Sequence, residues 1–251
     1  MMTNATLPFK ALLSLLVLCA ACLAGAGFAF AQAAPVEAVV REVFSVGWQP
    51  GYCAARPKSR GCADFSAASP SARQFSLVGR FQARRSYCGV DAALKQRARK
   101  GKWTDLPDIT LASGTRDRLL AAMPAASLGL DRRQWLRSGS CVSPSPEAYY
   151  GRSLDLLDEL NASPVPALFT GKAGGTVTLA QVRAAFDVAF GPGAGERVRL
   201  TCRKAADGKP VVTGLTIGLG TGEGGLKALI GGASPTRSRC TEGAVGLAPA
   251  G

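Results

Sequence analysis

Two segments hold the side chains that chemistry would need. FSLVGRFQ, residues 75–82, puts Arg80 and Phe81 directly after a glycine; QWLRSGSC, residues 134–141, puts Arg137 ahead of Ser138, Gly139 and Ser140. The chain contains no histidine. Ser138 and Ser140 therefore have no imidazole to activate them, and the glycine pattern of a nucleophile elbow is missing. Cations are plentiful instead. Arg80, Arg84, Arg85, Lys102, Arg132, Arg133 and Arg137 flank the two segments, and guanidinium groups hold phosphate through paired donors. Trp48, Tyr52 and Phe81 are of the type that stacks on a base. The same cations also fit a plain solvated basic face.

Other chemistries are poorly supported. No cysteine pair has the spacing of a metal knuckle, and no histidine exists to complete a mixed site, so no metal and no cofactor is expected. The glycine run GLGTGEGGLK, 218–227, is not a phosphate loop, because a leucine separates Gly225 from Lys227 and no Ser or Thr follows the lysine. It reads as a flexible surface loop.

The net charge of +13 falls by one if Lys10 leaves with a leader. Such a charge favours polyanions. Residues 1–31 read as a secretory signal: one lysine, an apolar core from Ala11 to Leu23, then Ala29-Phe30-Ala31 before the cut. That core is short for a membrane anchor, so no membrane span is expected after cleavage, and the localisation is secreted or periplasmic. Export predicts oxidised cysteines. Cys53, Cys62, Cys88, Cys141, Cys202 and Cys240 remain, an even set whose pairing the residues themselves leave open.

Several elements must position these groups. Alternating apolar residues predict a strand over 39–50 ending at Pro50, and a second over 75–78 running into the Gly79 turn. Residues 51–71 read as a loop. Helical patterns occupy 90–100, 113–123 with Ser113 as N-cap, 146–160, and 179–190 opened by Thr178. Strands at 197–202 and 210–219 flank an Asp207-Gly208 hairpin turn. The order predicts an α+β fold, a mostly antiparallel sheet packed with helices, with 32–251 as a single domain.

Taken together, the segments resemble the ribonuclease T2 family. Phe75, Val78, Gly79, Arg80, Phe81 and Gln82 align with its first motif, Phe-x-x-His-Gly-Leu-Trp-Pro. Gln134, Trp135, Arg137, Ser138, Gly139, Ser140 and Cys141 align with its second, Glu-Trp-x-Lys-His-Gly-Thr-Cys. SVGWQPGYC (45–53), Ser86-Tyr87-Cys88-Gly89, the helix up to Pro124, AFDVAFG (185–191) and RVRLTC resemble the frame around these motifs. The resemblance runs over about residues 43–251. It implies a T2-like fold with bridges Cys53–Cys62, Cys88–Cys141 and Cys202–Cys240.

The resemblance also implies a metal-free cleavage of RNA to 2′,3′-cyclic phosphates, with one histidine as base and another as acid. This chain looks like a divergent bacterial-type member in which those groups are gone. Val78 and Ser138 stand at the histidine positions, Gln134 at the glutamate and Arg137 at the lysine. Each proton-transfer group contributes about 10²- to 10⁴-fold, so the expectation is an inactive fold that binds single-stranded RNA or a nucleotide. Trp48, Tyr52, Arg80, Phe81, Arg84, Arg133 and Arg137 are the expected contacts. One alternative is a structural scaffold serving an envelope protein. Another is an active endoribonuclease rewired through acids such as Glu42, Asp64, Asp91 or Asp131.

Overall fold

Six strands share one sheet in the computed structural model, which describes residues 42–100 and 102–250. The proposed leader, 1–31, and the start of the first expected strand lie outside the described residues. The strands are β1 (Glu42–Gly47), β2 (Ser76–Phe81), β3 (Thr176–Thr178), β4 (Val198–Lys204), β5 (Pro210–Leu219) and β6 (Glu242–Ala244). β5 is the hub: β1 and β4 both pair with it antiparallel, β2 extends the sheet from β1, and β6 joins it in parallel at Val211. The β4–β5 hairpin turns through Gly208, whose φ of +81° suits the turn.

The helices among the described residues are α1 (Gln49–Ala55), α2 (Ala92–Arg99), α3 (Ser113–Ala122), α4 (Leu130–Arg137), α5 (Pro146–Asn161), α6 (Val165–Gly171), α7 (Leu179–Phe190) and α8 (Leu226–Gly231). The two longest match their sequence periodicity. α7 starts with a full capping box, in which Thr178 accepts from the Gln181 backbone while the Gln181 side chain accepts in return. α5 buries Tyr149, Tyr150, Leu154, Leu156, Leu157 and Leu160 against Phe44, Leu77 and Phe75 in the main core.

Four local expectations need correction. The first strand ends at Gly47, and Pro50 opens α1 instead of closing a strand. Proline suits a first helical turn, where its missing N–H would have no partner. Part of the expected 51–71 loop is thus helical. Ser113 is not a cap but the first helical residue: Glu147 caps α3 from another helix, accepting from Ala112 N–H at 2.9 Å and Thr115 Oγ1 at 2.6 Å. The β2 strand does not stop before its glycine but runs through Gly79 and Arg80 to Phe81. The glycine run holds the start of α8, and α6 and β3 had no clear sequence signal.

Three disulfides link Cys53 to Cys62, Cys88 to Cys141, and Cys202 to Cys240. No helix among the described residues is long and apolar enough to cross a membrane.

Candidate functional site

The two chemically suggestive segments meet across one cleft. Val78 and Phe81 from β2, and Gln134, Arg137 and Ser138 from the end of α4, line a cleft of about 580 Å³ with Arg84, Arg85 and Arg133. Opposite Val78 the register slips: Ser45 faces Gly79, but Val46 faces Leu77. Val78 is therefore the extra residue of a β-bulge, and a bulge re-aims the side chain it carries. Gly79 follows at φ +145°, and a Cβ there would lie 2.7 Å from the Tyr149 hydroxyl and 3.0 Å from Gln134 Nε2. Only glycine lets α4 and α5 approach the strand this closely.

Gln134 closes that approach. Its Nε2 donates to the Val78 carbonyl at 2.7 Å, pinning α4 to the bulge. Tyr149 does the same from α5, with its hydroxyl donating to Arg80 O and accepting from Arg80 N–H. Burial pushes the Tyr149 phenol up to about 12. At the other end, Gly129 opens α4 at φ +79°, where a Cβ would meet the Trp103 carbonyl at 2.6 Å.

Residues 82–86 line the cleft, and the chain that follows them is anchored to α4. Tyr87 N–H donates to the Arg137 carbonyl at 2.9 Å, and the Cys88–Cys141 bridge ties the same segment to the residues after α4. Arg84 and Tyr87 both adopt positive φ, 63° and 59°, an uncommon conformation for residues with a Cβ.

The electrostatics of the cleft are one-signed. Arg84, Arg85, Arg133 and Arg137 line it, and no carboxylate does. None of the four takes part in an ion pair among the described residues. Arg133 lies over the Trp103 ring, 4.8 Å from its centroid, and its buried Nε finds no hydrogen-bond partner among the described residues. Burial first, and the Arg137 cation second, hold the Arg133 guanidinium below its ordinary value. An anion beside these two arginines would offset both effects by favouring their charged forms.

Three of the expected contacts lie outside this cleft. Arg80 does not face the cleft: 6% exposed, it pairs with Glu42 at 2.8 Å, donates to Ser153 and Ser143, and covers the Tyr149 ring. The bulge sends Val78 one way and Arg80 the other. Trp48 is a core residue, 1% exposed, packed on Phe75 and Phe169 with its indole N–H donating to Val245 O. Tyr52 lines a second cleft of about 830 Å³ that shares Val78 and Leu130 with the first, and its hydroxyl is bonded to Ser59. None of the acids considered for rewiring lines the arginine cleft. Glu42 is paired with Arg80, Asp131 with Arg116, and Asp91 caps α2. Arg85, in contrast, is a cleft residue that sequence reasoning placed only in the general basic neighbourhood.

Comparison with known proteins agrees with this architecture. No protein-family model matches the chain. Ribonuclease I of Escherichia coli (strain K12) is 29% identical over 108 residues, which is 42% of this chain and 40% of that protein. The aligned part thus spans less than half of the relative's length. Among solved structures, the self-incompatibility-associated SF11-RNase of Nicotiana alata superposes with a TM-score of 0.52 at 14% identity, covering 83% of this chain and 97% of that one. The chain thus shares the fold of SF11-RNase and, over 108 residues, sequence similarity with Ribonuclease I.

Proposed function

We propose that this is an exported protein that binds single-stranded RNA or a nucleotide in the arginine cleft and does not cleave it by the family's mechanism. The carrying observation is that cleft: four arginines, no carboxylate and no histidine among its lining residues. Arginine forks match phosphate geometry, and Phe81 at the cleft wall offers a ring for a base. The family resemblance puts Val78 and Ser138 at the positions of the base and the acid, and neither side chain exchanges a proton near neutral pH. Gln134 keeps the shape of the glutamate but spends its amide on the Val78 carbonyl. The apolar leader and the three disulfides support export to an oxidising compartment.

The test uses purified protein and single-stranded homopolymeric RNA. The expected result is retention at low salt that weakens steeply as salt rises, with RNA recovered intact. Release of cyclic-phosphate ends at rates near those of a genuine family enzyme would overturn the non-cleaving reading, and no retention at low salt would overturn the binding one.

A further inference from the structure

We propose that the basic face of α2 continues the arginine cleft as a second phosphate-contacting surface, so that the preferred ligand is a single strand long enough to leave the cleft and cross this helix. The inference rests on the RNA-binding reading of the cleft. From Arg84 to Lys102 the chain carries seven cations, namely Arg84, Arg85, Lys95, Arg97, Arg99, Lys100 and Lys102, against one carboxylate, Asp91. That carboxylate is occupied, since it accepts from Leu94 N–H as the cap of α2.

The geometry joins the two surfaces. Tyr87 donates its backbone N–H to the carbonyl of Arg137, a cleft residue. Over the ring of the same Tyr87 lie Lys95 Nζ and the Arg99 guanidinium, each 5.6 Å from the centroid. Lys95 and Arg99 are four residues apart, so they share one helix face. Neither takes part in an ion pair among the described residues. Tyr87 therefore serves as a buried platform that holds two free cations immediately beyond the end of the cleft. A strand whose phosphate sits at Arg137 meets them next.

An anionic membrane surface fits less well. The exposed residues of α2 are Ala92, Ala93, Gln96, Arg97 and Arg99, with no large apolar side chain to enter a bilayer interface.

The experiment compares a mononucleotide with a long homopolymeric RNA, for the intact protein and for K95Q/R99Q. Intact protein should bind the long strand more tightly. In K95Q/R99Q that affinity should drop about tenfold, and the slope of log affinity against log salt should shrink by about 1.4, roughly 0.7 for each lost single-strand phosphate contact. Mononucleotide affinity should not change. K100Q guards against misfolding, because the Lys100 side chain is exposed and makes no ion pair among the described residues; its expected slope change is about 0.7. If the intact protein binds RNA but all variants keep its affinity and slope, the α2 surface is refuted while the cleft stands. If the intact protein binds no RNA, the cleft reading itself falls. Vesicles rich in anionic lipid that bind through Lys95 and Arg99, with RNA binding unaffected, would also overturn the proposal.

Discussion

Arg80 and Arg137 look alike in sequence, each beside a candidate site position, yet the structure assigns them opposite consequences. Arg80→Met removes a cation that is 6% exposed, together with its bond to Glu42 at 2.8 Å and its donors to Ser153 and Ser143. Breaking a buried pair costs about 3–5 kcal/mol when the survivor is left uncompensated. The Glu42 side chain keeps 24% exposure and some water, and methionine refills part of the volume, so about 2–3 kcal/mol is expected here. For a domain of this size that corresponds to a fall of about 5–10 °C in Tm. RNA affinity of the folded variant should be unchanged. Arg137→Met should do the reverse: Arg137 is exposed at the cleft wall and makes no ion pair among the described residues, so stability stays within about 0.5 kcal/mol while RNA binding weakens and its salt slope shrinks. Thermal melts followed by circular dichroism, with RNA titrations on the same samples, read both quantities. An unchanged Tm in Arg80→Met together with lost RNA affinity would instead put Arg80 in the cleft and overturn its assignment as a buried partner of Glu42.

Alkaline titration tests the packing behind the bulge. The Tyr149 phenol is raised from its ordinary 10 to about 12 by burial, so its share of stability, about 2–3 kcal/mol, is fully present below pH 10 and is lost as pH rises through about 12. Tyr149→Phe should flatten the part of the alkaline decline that Tyr149 causes, seen in melts across that range, and an identical decline would contradict the assignment. The Cys88–Cys141 bridge closes a separation of 53 residues and should contribute about 4 kcal/mol on the chain-entropy account. C88A/C141A should therefore melt lower and bind RNA more weakly, since the freed segment carries Arg84 and Arg85; binding equal to the parent protein would show that the bridge does not hold the cleft wall.

Apolar spacing along the chain is enough to predict helices at 146–160 and, with the Thr178 cap, 179–190, and the composition alone excludes imidazole proton transfer anywhere in the chain. Motif order was enough to suggest the fold. Directions were not legible. The bulge at Val78 depends on how β2 registers against β1, and a one-residue slip reverses which side chains face the cleft; Arg80 therefore looked like a phosphate ligand and is a buried partner of Glu42. Trp48 looked like a stacking platform because its burial depends on Phe75 and Phe169, residues distant in sequence. Ser113 looked like a cap because Glu147, which performs that role, comes from another helix. Local propensity and periodicity are properties of neighbouring residues, so they are readable along the chain. Register, burial and long-range capping are properties of surfaces that meet only when the chain folds, so they are absent from any local stretch of it.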